Sequence, residues 1–242
     1  MENAAAQIPA GAKILEIGPG LGAWTEVFLN RGHAMVLAEK DRTLAERLRR
    51  LHAENPRVTV LEGDFLEASP TNPPVSECTA AVGNLPFYVT SELLLRLIVE
   101  CTFITHGLFG IQLEVAERLA AAKGSSLAIA LGSQGDIRLA GRISRTSFYP
   151  VPAVDAAIIA FTRSDTTPRP NLRLLLKAAF WGKRKTLGTA LRKNPFWEKE
   201  PIAATWAAKL QKLPPAQGDI LLKRADELSV AEFTGLYDTL NS

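Results

Sequence analysis

The chain has 242 residues, 47% of them hydrophobic and 22% charged, with a net charge of +3; this suits a globular protein with one medium domain and a smaller one. No apolar run approaches the roughly 20 residues of a membrane span, and no basic stretch leads into an apolar one as in a signal peptide. Cys78 and Cys101 lie far apart, and His33, His52 and His106 lack ligand spacing, so neither a disulfide framework nor a metal site is expected, and a reduced cytoplasmic monomer is.

In chain order, residues 13–17 read as a buried strand and 21–31 as a helix opened by a glycine-rich turn. A second strand follows at 35–39. Leu44, Leu48 and Leu51 form one stripe of a helix over 43–51. Strands are predicted at 58–61 and 80–84, a helix capped by Ser91 and running to about 101, a strand at 108–113 and a helix at 115–122. Two late strands, 137–143 and 156–161, flank a turn around Pro150–Pro152. Alternation of this kind implies an α/β fold with a parallel sheet and helices on both faces.

Ser164–Pro170 is polar, with two prolines and two threonines, and reads as a linker. Beyond it the pattern is helical: 172–192, 202–213 and 230–240, the last behind a Ser229 cap. Two domains are expected, residues 1–163 and a small all-helical domain over 170–242. Charge divides unevenly between them. Residues 1–162 carry 14 basic and 17 acidic side chains, whereas 163–242 carry 14 basic and 8 acidic. The C-terminal third is therefore the expected surface for a polyanion.

Glu16-Ile17-Gly18-Pro19-Gly20-Leu21-Gly22 closes the first strand. Glycines here let backbone approach a ligand without Cβ clashes and expose amide N–H groups at a helix start. Ala23 stands where the dinucleotide fingerprint has its third glycine, a permitted variant, so spacing alone leaves NAD open. Glu16 and Pro19 favour S-adenosylmethionine, which has no pyrophosphate and needs acceptors for its amino group and ribose. Glu39 ends the second strand, where a carboxylate can accept both ribose hydroxyls. Asp64 follows the third strand, where it can accept from the adenine amino group, with Phe65 as an apolar neighbour to the ring.

Gly83-Asn84-Leu85-Pro86-Phe87 ends the fourth strand. An adenine N6 lone pair is delocalised into the ring and is a poor nucleophile. Hydrogen bonds from its N–H groups to the Asn84 side-chain oxygen and the Leu85 carbonyl would push the nitrogen toward tetrahedral geometry and aim the lone pair at a sulfonium methyl. Pro86 stiffens the turn. Phe87 can stack on the base, a contact of about 1–3 kcal/mol in single-stranded recognition. Positioning and desolvation would carry such catalysis, without a strong general base.

Asn84-Leu85-Pro86-Phe87 resembles the Asn-Leu-Pro-Tyr/Phe motif of ribosomal RNA adenine N6,N6-dimethyltransferases of the KsgA type. Gln112-Leu113-Glu114-Val115-Ala116-Glu117-Arg118-Leu119 resembles that family's Gln-x-Glu-Val-x-x-Arg-Leu segment, and Phe148-x-Pro150-x-Pro152-x-Val154-Asp155 its proline-rich signature. Lys183-Arg184-Lys185-Thr186-Leu187 resembles its basic C-terminal run, and Arg224-Ala225-Asp226-Glu227-Leu228-Ser229 a late Arg-x-x-x-Leu-Ser segment. The likeness keeps the family's order from about residue 13 onward.

The resemblance implies a Rossmann-like methyltransferase sheet with a helical C-terminal domain. It also implies S-adenosylmethionine as cofactor and two transfers to one adenine of small-subunit ribosomal RNA, in ribosome biogenesis. Glu16, Gly18, Gly20, Gly22, Glu39, Asp64, Phe65 and Asn84 would bind cofactor; Asn84, Leu85, Pro86 and Phe87 would hold the base; Lys183, Arg184, Lys185 and Arg192 would meet RNA phosphates. Glu114 and Arg118, a helical turn apart, suit a surface ion pair.

Three departures stand out. The family's Gly-Gln-x-Phe-Leu segment, which closes over cofactor and base, has no counterpart in residues 1–12; either the true start lies upstream or the site is more open and binds cofactor more weakly. Ala153 replaces a lysine of the proline-rich signature, and the region around 123–127 looks shortened. Two further readings of the chain are a resistance-type methyltransferase of large-subunit RNA, disfavoured by the acidic first part, and an assembly factor without catalysis. A small-molecule methyltransferase would need no basic tail.

Overall fold

The computed structural model describes the chain except residues 1, 148–152, 165, 166, 168, 183, 198, 199 and 214–217. Seven strands form one sheet: β1 (Lys13–Ile17), β2 (Ala34–Glu39), β3 (Val58–Glu62), β4 (Ala80–Asn84), β5 (His106–Gln112), β6 (Gly135–Ile143) and β7 (Ala156–Arg163). Their order is β3-β2-β1-β4-β5-β7-β6. The first five run parallel. The order reverses between β1 and β4, and ligands of open α/β sheets bind in the crevice that such a reversal leaves at the carboxyl ends of the strands.

The sheet is not parallel throughout. β7 lies antiparallel to both β5 and β6. Parallel neighbours need a crossover of a dozen or more residues, usually helical. The described part of the β6–β7 connection holds only a 3-10 turn, Arg145–Ser147, so the chain doubles back. Asp155 fixes the return: its Oδ1 accepts the Arg145 N–H at 3.0 Å, and its carbonyl accepts the Leu113 N–H.

After a short α1 (Glu2–Ala5), helices α2 (Ala23–Asn30), α3 (Arg42–Leu51) and α4 (Thr90–Leu94) lie between parallel strands, and α5 (Leu113–Ala120) follows β5. The central strands are buried along nearly their whole length, because both faces of such a sheet are covered. Ile14, Met35, Leu37, Val82 and Leu108 pack with Phe28 and Leu48 in one core cluster; burying each such side chain contributes about 1.5–3 kcal/mol. α4 continues as a π-helical turn, Leu95–Glu100. Arg163 at the end of β7 donates to the carbonyls of Ile98 and Ile104 at 2.6 and 2.8 Å, which answers carbonyls left without helical partners.

The chain divides into two compact units, Met1–Ala120 with Gly135–Ser164, and Ala121–Gln134 with Asp165–Ser242. The second unit therefore gains a helix with no counterpart in the sequence reading, α6 (Ser126–Gly132), capped by the Ser125 hydroxyl accepting the Ala128 N–H. The helix expected over 172–192 divides into α7 (Leu172–Phe180) and α8 (Leu187–Arg192). Gly182 disfavours helix between them, and the Thr186 hydroxyl restarts it by accepting the Thr189 N–H at 3.4 Å. α9 (Pro201–Leu210) and α10 (Val230–Asn241) complete the unit around Trp206, Phe233 and Leu236. Ser229 and Glu232 form a reciprocal capping box at the start of α10.

Candidate active site

The β1–α2 turn is built on three left-handed glycines, Gly18, Gly20 and Gly22, with φ of 62°, 58° and 90°. A Cβ at Gly18 or Gly20 would meet nothing within 4 Å. The requirement is thus the backbone conformation, which costs an L-residue about 1–2 kcal/mol. The turn is tied sideways to β2: the Gly20 N–H donates to Glu39 Oε2 at 3.0 Å, and the Gly18 N–H to the Ala38 carbonyl at 2.9 Å. Glu39 Oε1 accepts the Asp41 N–H at 2.9 Å. With each oxygen held by one backbone donor, the carboxylate keeps further lone pairs and lines the cleft.

Glu16, expected at the cofactor, is buried behind the cleft wall. It is 2% exposed and accepts the Thr25 hydroxyl at 2.6 Å. Burial pushes its carboxyl up to about 7, against the opposing pull of the Thr25 bonds. It anchors the first turn of α2 beneath the glycine turn and does not line the cleft.

The cleft has a volume of about 490 Å³ and opens at the carboxyl ends of β1, β2, β3 and β4. Of the residues singled out from sequence, Gly18, Glu39, Asp64, Phe65 and Pro86 line it. Asp64 is partly engaged already: Oδ2 accepts Lys40 Nζ at 2.8 Å, and Oδ1 accepts the Leu66 N–H at 2.9 Å. The Lys40 bond holds its carboxyl below the usual range. Phe65 is 5% exposed, and the Arg96 guanidinium lies 5.6 Å from its ring centroid. Val89 and Leu93 add apolar wall. Among the described residues, Lys40 is the one cation lining the cleft, and it is paired with Asp64. These acceptor carboxylates suit a nucleoside with a diol and an amino group, which donate, better than a pyrophosphate, which needs donors.

At the end of β4, Asn84 is exposed and pairs in register with Gly110 of β5. The Leu85 N–H donates to the Gly110 carbonyl at 2.9 Å. Room for the Asn84 side chain comes from that glycine, since a Cβ at 110 would stand 2.6 Å from Asn84 Oδ1. Pro86 starts a turn whose carbonyl accepts the Val89 N–H at 3.1 Å and the Thr90 hydroxyl at 2.9 Å. Asn84, Leu85 and Phe87 flank the cleft in sequence without lining it. Phe87 is half-buried, whereas Tyr88 is 83% exposed and lines the cleft. Sequence reasoning passed over Tyr88 and Lys40. Two adjacent aromatics after a proline signalled that one would face outward, but not which.

In the helical unit Arg184 and Arg192 are exposed, and Lys185 lies with Nζ 3.5 Å from the Trp181 ring centroid. Lys183 and most of the proline-rich signature fall outside the described residues. Glu114 and Arg118 form an exposed ion pair at 3.1 Å.

The chain is 33% identical over 264 residues to a "Ribosomal RNA small subunit methyltransferase A" of Bifidobacterium longum (strain DJO10A), over 98% of this chain and 81% of that one. It is 36% identical to a protein of the same name from Acidobacterium capsulatum, over 94% and 81%. The fold is similar to the crystal structure of a dimethyladenosine transferase from Plasmodium falciparum, with a TM-score of 0.77 and 24% identity over 99% of this chain and 94% of that one. Residues 4–215 match the family model described as "Ribosomal RNA adenine dimethylase", and the chain belongs to that family.

Proposed function

We propose that this chain transfers methyl groups from S-adenosylmethionine to the N6 nitrogen of adenines in small-subunit ribosomal RNA, twice per adenine, as a cytoplasmic step of ribosome biogenesis. The observation that carries the reading is the placement of the Asn84 side chain against Gly110 at the end of β4, beside a cleft bearing Glu39, Asp64 and Phe65. The bound cofactor supplies an electrophilic methyl on a sulfonium. Glu39 would accept its ribose hydroxyls, and Asp64 its adenine amino group through the lone pairs that Lys40 and Leu66 leave. Phe65, Val89 and Leu93 would exclude water from the ring.

At the target base, the Asn84 oxygen and the Leu85 carbonyl would accept the two N6–H bonds. No described residue donates to either oxygen. After transfer one N–H remains to be held, so a monomethylated base can still be oriented for a second round. Phe87 and Tyr88 offer aromatic surface for stacking on the base. The helical unit, with exposed Arg184 and Arg192 and with Lys185, would hold RNA phosphates.

The test uses methyl-labelled S-adenosylmethionine with under-methylated small subunits, large subunits and naked RNA, followed by mapping of the modified base. Label on small-subunit adenines as N6,N6-dimethyladenine is the expected result. Label confined to large subunits, or binding of small subunits without label, would overturn the proposal. Asn84→Ala is expected to lose transfer while keeping cofactor binding; full turnover by this variant would remove the amine-orienting role.

A further inference from the structure

The helical unit holds a pocket of about 460 Å³, a size within the roughly 300–1,000 Å³ of small-ligand sites. None of its lining residues belongs to the methyl-transfer cleft. Small side chains on α9, among them Ala204, leave the space. One wall is Trp197, held in place by Asn194. The Asn194 oxygen accepts the N–H groups of Phe196 and Trp197 at 3.1 Å each, and its amide donates to the Leu191 carbonyl at 2.7 Å. Trp197 also packs edge-on against Trp206 at 5.5 Å. The Trp197 Nε1–H is buried and has no acceptor among the described residues, an arrangement that folded interiors rarely keep.

Trp181 also lines the pocket, 40% exposed, with the Lys185 ammonium on its ring. Arg192 and Lys193 are exposed on the rim, and none of the described lining residues is acidic. Aromatic surface with cations beside it is the chemistry that binds single-stranded nucleic acid: bases stack on the rings while phosphates meet the charges. We infer that this pocket takes one unpaired nucleotide of RNA, its base between the Trp181 and Trp197 indoles and its phosphate at Arg192 and Lys193. The inference rests on RNA being the substrate and gives the helical unit a base-binding site beyond a phosphate stripe.

The experiment follows the indole N–H signals of the full chain by NMR, with the methyl-transfer cleft filled by S-adenosylhomocysteine. The probes are a single-stranded RNA pentamer and the same pentamer without its central base. Intact RNA is expected to shift the Trp181 and Trp197 signals, each assigned by a Trp→Phe variant, and the abasic pentamer to bind more weakly. Ala204→Phe, at an exposed position that tolerates a larger side chain, is expected to weaken intact RNA by about tenfold, a modest share of one stacked base. The same variant should leave the abasic pentamer unchanged. Equal affinity for both RNAs, with no effect of Ala204→Phe, would reduce the site to phosphate binding and overturn the inference. So would unmoved indoles while whole small subunits still bind, which would point to a protein contact. Methyl transfer to small subunits, measured alongside, distinguishes either failure from failure of the proposed function.

Discussion

Gly110→Ala tests the geometry of methyl transfer without replacing any residue proposed to contact cofactor or base. The added Cβ would lie 2.6 Å from Asn84 Oδ1 and 3.4 Å from Asn84 Cα. Non-bonded atoms settle at about 3.5–4.0 Å, so the amide oxygen has to retreat by roughly 1 Å. A displacement of that size at a reacting centre costs about 10²-fold in rate, equivalent to about 2.7 kcal/mol of activation free energy. Gly110 lies inside β5 with an ordinary strand conformation, so the substitution adds no left-handed strain. The expected outcome is a kcat about a hundredfold lower for labelled methyl transfer to small subunits, with S-adenosylhomocysteine binding by calorimetry unchanged. Gly83→Ala is the control. Its Cβ would meet the Ile17 carbonyl at 2.5 Å, backbone that cannot rotate away, so it should lower stability by about 1–3 kcal/mol as overpacking does. Undiminished turnover by a folded Gly110→Ala enzyme would refute the argument that the position of the Asn84 oxygen governs the chemistry.

Glu39→Gln leaves one acceptor oxygen for two backbone N–H groups and removes the charge; cofactor affinity by calorimetry should fall about 10- to 100-fold, the worth of a charged hydrogen bond. Glu16 is protonated more readily folded than unfolded, since its carboxyl is raised from 4.5 to about 7. The native state therefore holds the extra proton between those values, and this group's contribution to stability falls as pH rises from about 4.5 to 7, by an order of 3 kcal/mol. Glu16→Gln should flatten that part of the stability–pH curve, measured by urea denaturation; an unchanged slope would remove Glu16 as its source. Ser229→Ala removes the hydroxyl that caps α10 and should cost about 1 kcal/mol. The loss should persist at pH 3, because the Glu232 carboxyl is held at about 2, first by Lys223.

Local chemistry made the sheet's beginning legible. Gly18, Gly20 and Gly22 announce a turn because left-handed backbone is a property of the residue itself, and Glu39, Asp64 and Asn84 could be placed at successive strand ends because apolar runs mark where strands stop. The order of motifs from Asn84 to Ser229 carried the family. Pairing was not legible in the same way. That β7 inserts antiparallel between β5 and β6 depends on hydrogen-bond partners far apart in sequence, and periodicity says which face is buried, not which strand lies alongside or in which direction. For the same reason only the folded chain could send Glu16 beneath the glycine turn and Glu39 into the cleft, turn Tyr88 outward beside a half-buried Phe87, and set Gly110 against Asn84. The sequence by itself determined the strands of the sheet and the chemical groups at their ends; tertiary contacts between distant segments decided which of those groups face one another.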